Sequence, residues 1–290
     1  MKYKKYFLNY YIFILLGFLF TRCSDLREPV PTNSPANLSV HPFAWSDTTQ
    51  VDSPDFHSNF FQSIRWDLKR CQQCHGVDYQ GGIANFSCLT CHPATPEDCV
   101  VCHGGVDNMT GAPPEDLNGN RDTEFRGVGA HTAHLSEGQF SLGFECETCH
   151  VVPDSFYAAG HVDSNLPAEV IFSKLALVDK ADPTWQIESE SCQNAFCHGN
   201  WSLLKSESGF SFIYSADRIE GNLASPTWTD PTTVTCGTCH DLPPKGHIPY
   251  QLNECSNCHI FVIDADGLII DKSKHVNGNV NVFGQEYPIF

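Results

Sequence analysis

Seven short cysteine pairs, each followed at once by a histidine, constrain this chain more than any other feature. Six pairs have the spacing CxxCH, and the fifth has the longer spacing CxxxxCH. In chain order, motifs 1 to 7 use Cys71 and Cys74, Cys88 and Cys91, Cys99 and Cys102, Cys146 and Cys149, Cys192 and Cys197, Cys236 and Cys239, and Cys255 and Cys258. Their histidines are His75, His92, His103, His150, His198, His240 and His259. Histidine is only 14 of 290 residues, so composition does not explain the pattern.

The CxxCH pattern is the attachment signature of a c-type haem. Its thiols add to the two porphyrin vinyl groups as thioethers, and the adjacent histidine places an imidazole nitrogen on the iron. Two other uses of paired cysteines explain less. Disulfides would close very small loops and give no reason for the histidine, and a zinc ribbon needs two pairs or added histidines for each metal. The six CxxCH motifs therefore predict haem c, whereas spacing alone leaves the pair Cys192 and Cys197 open.

Seven further histidines match the motifs in number. They are His41, His57, His131, His134, His161, His247 and His275. Methionine, the other common sixth ligand, occurs only as Met1 and Met109. We expect these seven histidines to be the distal ligands, which gives low-spin bis-histidine iron of low potential. Since His131 and His134 are three residues apart, a helix would place them on one face, where they could reach two neighbouring haems.

The first 22 residues have the pattern of an export signal. Three lysines near Met1 precede an apolar run from Phe7 to Phe20, which is short for a membrane-spanning helix. Cys23 follows at the position of the acylated cysteine in bacterial lipoproteins, but Arg22 stands where those proteins have a small residue. Lipidation of Cys23 and ordinary cleavage nearby therefore both remain open.

The chain is strongly acidic, with a formal net charge of −17. Removal of residues 1–22 takes away four of the 17 basic groups and none of the 34 acidic ones, which leaves −21. Such a surface repels nucleic acid and anionic lipid headgroups. We expect no nucleic-acid partner and a preference for cationic partners.

Motif positions predict the organisation of the chain. Residues 1–22 are the export signal, and residues 23–60 form a tether rich in Pro, Ser and Asn. A three-haem region with its linker occupies residues 61–125, and a four-haem region occupies residues 126–290. With about 38 mature residues per motif, protein alone cannot build a core. The predicted fold class is a multihaem cytochrome c of low regular secondary structure, with short helices, a few short strands and stacked haems as the core.

Several segments between residues 104 and 282 carry a family resemblance. They include "TGAPPEDLNGN", "GVGAHTAHL", "GHVDSNLPAEVIF", "CQNAFCHGNW", "TWTD", "CGTCHDLPPKGH" and "KHVNGNV". With them the chain resembles the multihaem cytochromes of metal-reducing and related bacteria that carry a CxxxxCH motif followed by a CxxCH motif. The resemblance implies that Cys192, Cys197 and His198 bind a seventh haem, and that His131, His134, His161, His247 and His275 are sixth ligands. The expected cofactors are thus seven covalently bound haem c groups.

We expect an electron carrier rather than an enzyme, exported to the periplasm, the outer membrane or the cell surface. Its partners would be redox proteins or extracellular electron acceptors, and an outer-membrane lipid anchor and self-association are both compatible with the sequence. One alternative is a multihaem reductase of nitrogen or sulfur oxyanions, which needs one iron with an open face. Another is a subunit of a haem filament or conduit.

Overall fold

The computed structural model describes residues 40–51, 53–92, 94–104, 109–163 and 167–289. The predicted export signal and Cys23 lie outside the described residues. The chain divides into two compact units, one ending at Ile64 and the other beginning at Arg65. No helix in the described ranges has both the length and the apolar character needed to cross a membrane.

The α-helices of the described residues have one or two turns each. They are α1 (His57–Ser63), α2 (Lys69–His75), α3 (Cys99–Cys102) and α4 (His131–Leu135). Helix α1 overlaps the last residues of the predicted tether. Short 3₁₀ segments are more numerous, at Gly82–Ala84, Cys88–Thr90, Cys146–Thr148, Lys174–Lys180, Phe196–His198, Lys205–Glu207, Ser211–Ile213, Pro231–Thr233, Leu252–Asn257 and Lys272–Lys274.

The strands within the described ranges form three separate antiparallel pairs. Strand β1 (Thr184–Gln186) pairs with β2 (Ser191–Gln193), with Trp185 opposite Cys192. Strand β3 (Ser202–Leu204) pairs with β4 (Arg218–Glu220), and β5 (Asn279–Val282) pairs with β6 (Gln285–Pro288). The expectation of low regular structure, short helices and few short strands is confirmed.

The buried apolar residues are scattered and mostly small. Alanines at 112, 130, 176, 181 and 195 are among them, together with Val128, Ile219, Val262 and Val282. Side chains of this size remove little apolar area from water, so they contribute little to a continuous core. The stacked-haem core and the domain boundaries inferred from the motifs remain predictions.

Candidate haem sites

A single helical turn shapes most of the CxxCH motifs. In each case the backbone N–H of the histidine donates to the carbonyl of the first cysteine, four residues earlier. This bond closes the turn and brings residues three apart onto one side, so both thiols face the same way. It joins His92 to Cys88 at 3.0 Å, and at 2.9 Å it joins His103 to Cys99, His150 to Cys146 and His259 to Cys255.

The longer motif 5 reaches a similar arrangement by another route. Cys192 lies on strand β2, and the chain then turns at Asn194, which has a left-handed φ of 58°. The Asn194 carbonyl accepts a hydrogen bond from the Asn200 side chain at 2.7 Å. A 3₁₀ turn over Phe196–His198 follows and contains Cys197. The strand end and the left-handed turn accommodate the two additional residues, because asparagine is one of the few residues that adopt this backbone as a single residue.

Three motifs converge around the thiol of Cys197. Burial, and then the charge of Cys149, raise its pKa to about 12, with smaller contributions from Cys192 and Cys239. The thiols of motifs 4, 5 and 6 therefore lie close together. All fourteen motif cysteines are free thiols, so no disulfide joins them. Within the described ranges, no group of three or more His, Cys, Asp or Glu side chains is arranged to hold a bare metal ion.

Four motif histidines face four of the predicted distal histidines at nearly constant spacing. Each pair joins residues far apart in the chain or on different elements, and the ring planes are inclined by different angles. The centroids are separated by 6.1 Å in His103 and His161 (30°), 6.3 Å in His150 and His131 (21°), 6.2 Å in His198 and His134 (54°), and 6.3 Å in His240 and His275 (71°).

This spacing fits one metal ion between two imidazoles. An imidazole nitrogen lies about 2.0 Å from a first-row metal that it ligates, and the ring centre lies about 1.2 Å further out. Two imidazoles on opposite faces of one haem iron therefore have centroids about 6.4 Å apart. Direct stacking of two rings would bring them closer, as His41 and Trp45 illustrate with centroids 4.3 Å apart. The donor set and its spacing fit a haem iron.

The orientation of the rings also suits ligation. In ten histidines, Nδ1 contacts a backbone carbonyl, which can only accept, so Nδ1 carries the proton and Nε2 keeps its lone pair. The acceptors for six of the predicted distal ligands are Trp45 for His57, Val128 for His131, Ala130 for His134, Phe156 for His161, Ile248 for His247 and Phe140 for His275, at 2.7–2.9 Å. The other four are His75, His150, His240 and His259.

Burial keeps the most enclosed of these histidines neutral. It lowers the pKa of His131 and of His198 to about 4. Burial also lowers the pKa of His103, His259 and His275. Neutral imidazole is the form that ligates a metal, so these groups need no deprotonation at pH 7.

The histidines outside the four facing pairs have fewer described contacts with one another. His259 lies near His247 and His240, whose charges contribute to its lowered pKa after burial. His41 and His57 belong to the first unit, where both contact Trp45. His75 and His92 belong to the second unit. The sixth-ligand role of all seven predicted distal histidines, His41, His57 and His247 included, stays a prediction.

A cavity of about 1250 Å³ connects the last three motifs. Ordinary ligand pockets measure about 300–1,000 Å³, so this space exceeds that of one small molecule. Its walls carry cysteines of motifs 5, 6 and 7, with Cys192, Cys236 and Cys255 among them, together with the predicted distal ligands His134, His247 and His275.

Sequence reasoning missed one residue that contacts two of these histidines. The indole of Trp228 packs edge-on against His131, with centroids 4.8 Å apart, and tilted against His134, at 5.7 Å. Trp228 stands in the segment "TWTD", which carried the family resemblance but gave no local signal for this contact.

The comparisons with known proteins identify one segment. Residues 191–240 match the family model described as Geobacter CxxxxCH...CXXCH motif. The matched range contains motifs 5 and 6 complete, with both of their histidines. No curated protein and no solved structure was found to match the chain. The motif order and the paired imidazoles agree with this match, and residues 191–240 are similar to the CxxxxCH/CxxCH family, which supports a multihaem c-type cytochrome.

Proposed function

We propose that the chain binds seven haem c groups, each with two histidine ligands, and passes electrons along them. The observation that carries this proposal is the set of four histidine pairs with centroids 6.1–6.3 Å apart. When bound, the haem groups supply one-electron chemistry. The protein orients ten of these rings by an Nδ1 hydrogen bond to a backbone carbonyl, which leaves Nε2 free to ligate an iron.

Several neighbouring motifs lie close together, which supports electron transfer between them. The charge on Cys88 contributes to the raised pKa of Cys71, which places motif 2 near motif 1. Motifs 4, 5 and 6 meet around Cys197. The charge of His240 contributes to the lowered pKa of His259, which links motif 6 with motif 7. These contacts favour transfer within one chain over isolated redox centres.

The paired rings favour a carrier over a reductase. A reductase of oxyanions needs an iron with one open face, where substrate binds. Two imidazoles that face each other at this spacing would take both axial positions of one haem iron, which would leave no such face at motifs 3 to 6. We infer that catalysis at an open haem is not the role of these four sites.

The proposed setting is outside the cytoplasm, in the periplasm, on the outer membrane or at the cell surface. The formal charge of −17 favours a basic docking patch on the redox partner, or a cationic acceptor such as a metal ion. Acylation of Cys23 would anchor the protein to the outer membrane, and self-association would extend the haem chain.

Haem content and ligation are the direct test. The chain would be secreted from a host that matures c-type cytochromes, quantified by its pyridine haemochrome and examined spectroscopically with and without carbon monoxide. We expect seven haems per chain, low-spin bands and no change on adding carbon monoxide, because both axial positions are taken. A count of two or three, or carbon monoxide binding to most haems, would contradict the proposal.

A further inference from the structure

We propose that Trp228 is a positioning residue shared by two haem sites, fixing the ring orientations of His131 and His134 together. The inference rests on the proposed function, since it assigns those rings to two irons. His131 faces His150 of motif 4, and His134 faces His198 of motif 5. One indole therefore contacts an axial ligand of each of two sites.

The indole is held from several sides. Its N–H donates to the carbonyl of Arg126 at 2.8 Å, and its backbone N–H donates to the carbonyl of Glu190 at 2.6 Å. The Trp185 ring packs edge-on against it, with centroids 6.1 Å apart. Trp228 is partly buried, and its indole N–H and backbone N–H are both hydrogen-bonded, so its ring has little freedom to move.

An ion pair joins Arg126 and Glu190, the two residues whose carbonyls hold Trp228. The Arg126 guanidinium donates from Nε to Glu190 at 2.8 Å, and the other Glu190 oxygen accepts from the Thr229 hydroxyl at 2.9 Å. Glu190 thus joins the segment before α4 to the residue that follows Trp228. Half-exposed ion pairs add little stability, but this one connects the two backbone segments that hold the indole.

Gly129 provides room for the ring. A Cβ on Gly129 would overlap the indole of Trp228, and the residue also has a positive φ of 43°. Glycine adopts this backbone without strain and leaves the space free. The approach of the indole to α4 therefore depends on the glycine two residues before His131.

Because Trp228 contacts a predicted ligand in each of two sites, its loss should affect the spectra of both. The angle between two axial imidazole planes sets the splitting of the iron d orbitals, and hence the g values in electron paramagnetic resonance. The planes are 21° apart in the His131 and His150 pair and 54° apart in the His134 and His198 pair. Loss of the indole should allow both distal rings to rotate, and both signals should move.

The test uses the haem-loaded protein with Trp228→Leu, with Trp228→Phe as the conservative variant. Signals of the two sites are assigned as those lost in His131→Ala and in His134→Ala. We expect Trp228→Leu to retain seven haems and to shift the g values and midpoint potentials of these two sites, leaving the other five unchanged. The phenylalanine variant keeps an aromatic contact, so we expect it to restore most of both shifts.

A matched control is Trp201→Leu. The Trp201 ring contacts His240 of motif 6, with centroids 6.1 Å apart, so its loss should move that signal and leave those of motifs 4 and 5 in place. If Trp228→Leu is not secreted, Gly129→Ala displaces the indole and should move the same two signals. Shifts at only one of the two sites, or at neither, would overturn the proposal. Failure of the proposed function would appear separately, as fewer than seven haems in the unaltered protein.

Discussion

Replacement of His275 by alanine is expected to create one haem that binds carbon monoxide in a protein that otherwise binds none. His275 faces His240 at 6.3 Å and is oriented by its bond to the Phe140 carbonyl at 2.7 Å. Cys236, Cys239 and His240 are unchanged, so the haem should remain attached, with its iron five-coordinate. Carbon monoxide titration should give about one equivalent per chain, and haemochrome analysis should still give seven haems.

His275→Met separates loss of the ligand from loss of structure. A thioether can occupy the sixth position and raises the potential of the iron. This variant should remain six-coordinate and bind no carbon monoxide, and one midpoint potential should rise. If His275→Ala also binds no carbon monoxide while its haem content stays at seven, His275 is not an axial ligand.

The substitution Gly199→Ala is expected to cause a large loss of stability. Gly199 directly follows His198 and has a φ of 91°. A Cβ there would overlap the Cys239 carbonyl oxygen, which accepts a hydrogen bond from the Asn222 N–H at 2.9 Å. Backbone strain and displacement of motif 6 together should cost about 3 kcal/mol or more. The corresponding fall in Tm is about 5–10 °C, measured by the shift of the Soret band on heating.

Gly119→Ala is the matched control for backbone strain. Its φ is 78°, and no atom lies within 4 Å of the position its Cβ would take. This variant should lose only about 1 kcal/mol. Equal losses in the two variants would show that close packing between motifs 5 and 6 does not contribute, and the account of Gly199 would be wrong.

Much of the candidate site follows from local sequence. The cysteine and histidine spacing of a CxxCH motif defines one helical turn, and the structure forms that turn through the bond from the histidine N–H to the first cysteine carbonyl. The helix that this spacing allows is present as α4, and the rings of His131 and His134 face His150 and His198; that they ligate two haems stays a prediction. Such features depend on residues a few positions apart, which a sequence displays directly.

The pairing of histidines could not be read from sequence, because it depends on long-range packing. His161 lies closer in the chain to His150, yet its ring faces His103 of the preceding motif. The ring of His275 faces that of His240. Its Nδ1 is bonded to the carbonyl of Phe140, which lies 135 residues earlier in the chain. The role of Trp228 could not be predicted for the same reason, since the histidines that it contacts lie on α4, far in the sequence from "TWTD". The periodicity of apolar residues, 3.6 in a helix and 2 in a strand, carries no information about contacts between residues far apart in the sequence.

Mass spectrometry of the secreted protein, intact and after proteolysis, tests the central claim most directly. The intact mass should exceed that of the processed polypeptide by seven haem groups. Haem-bearing peptides should include the one that spans Cys192 and Cys197, where the spacing departs from CxxCH. A protein with no haem, or with six haems and an unmodified peptide at Cys192 and Cys197, would contradict the account.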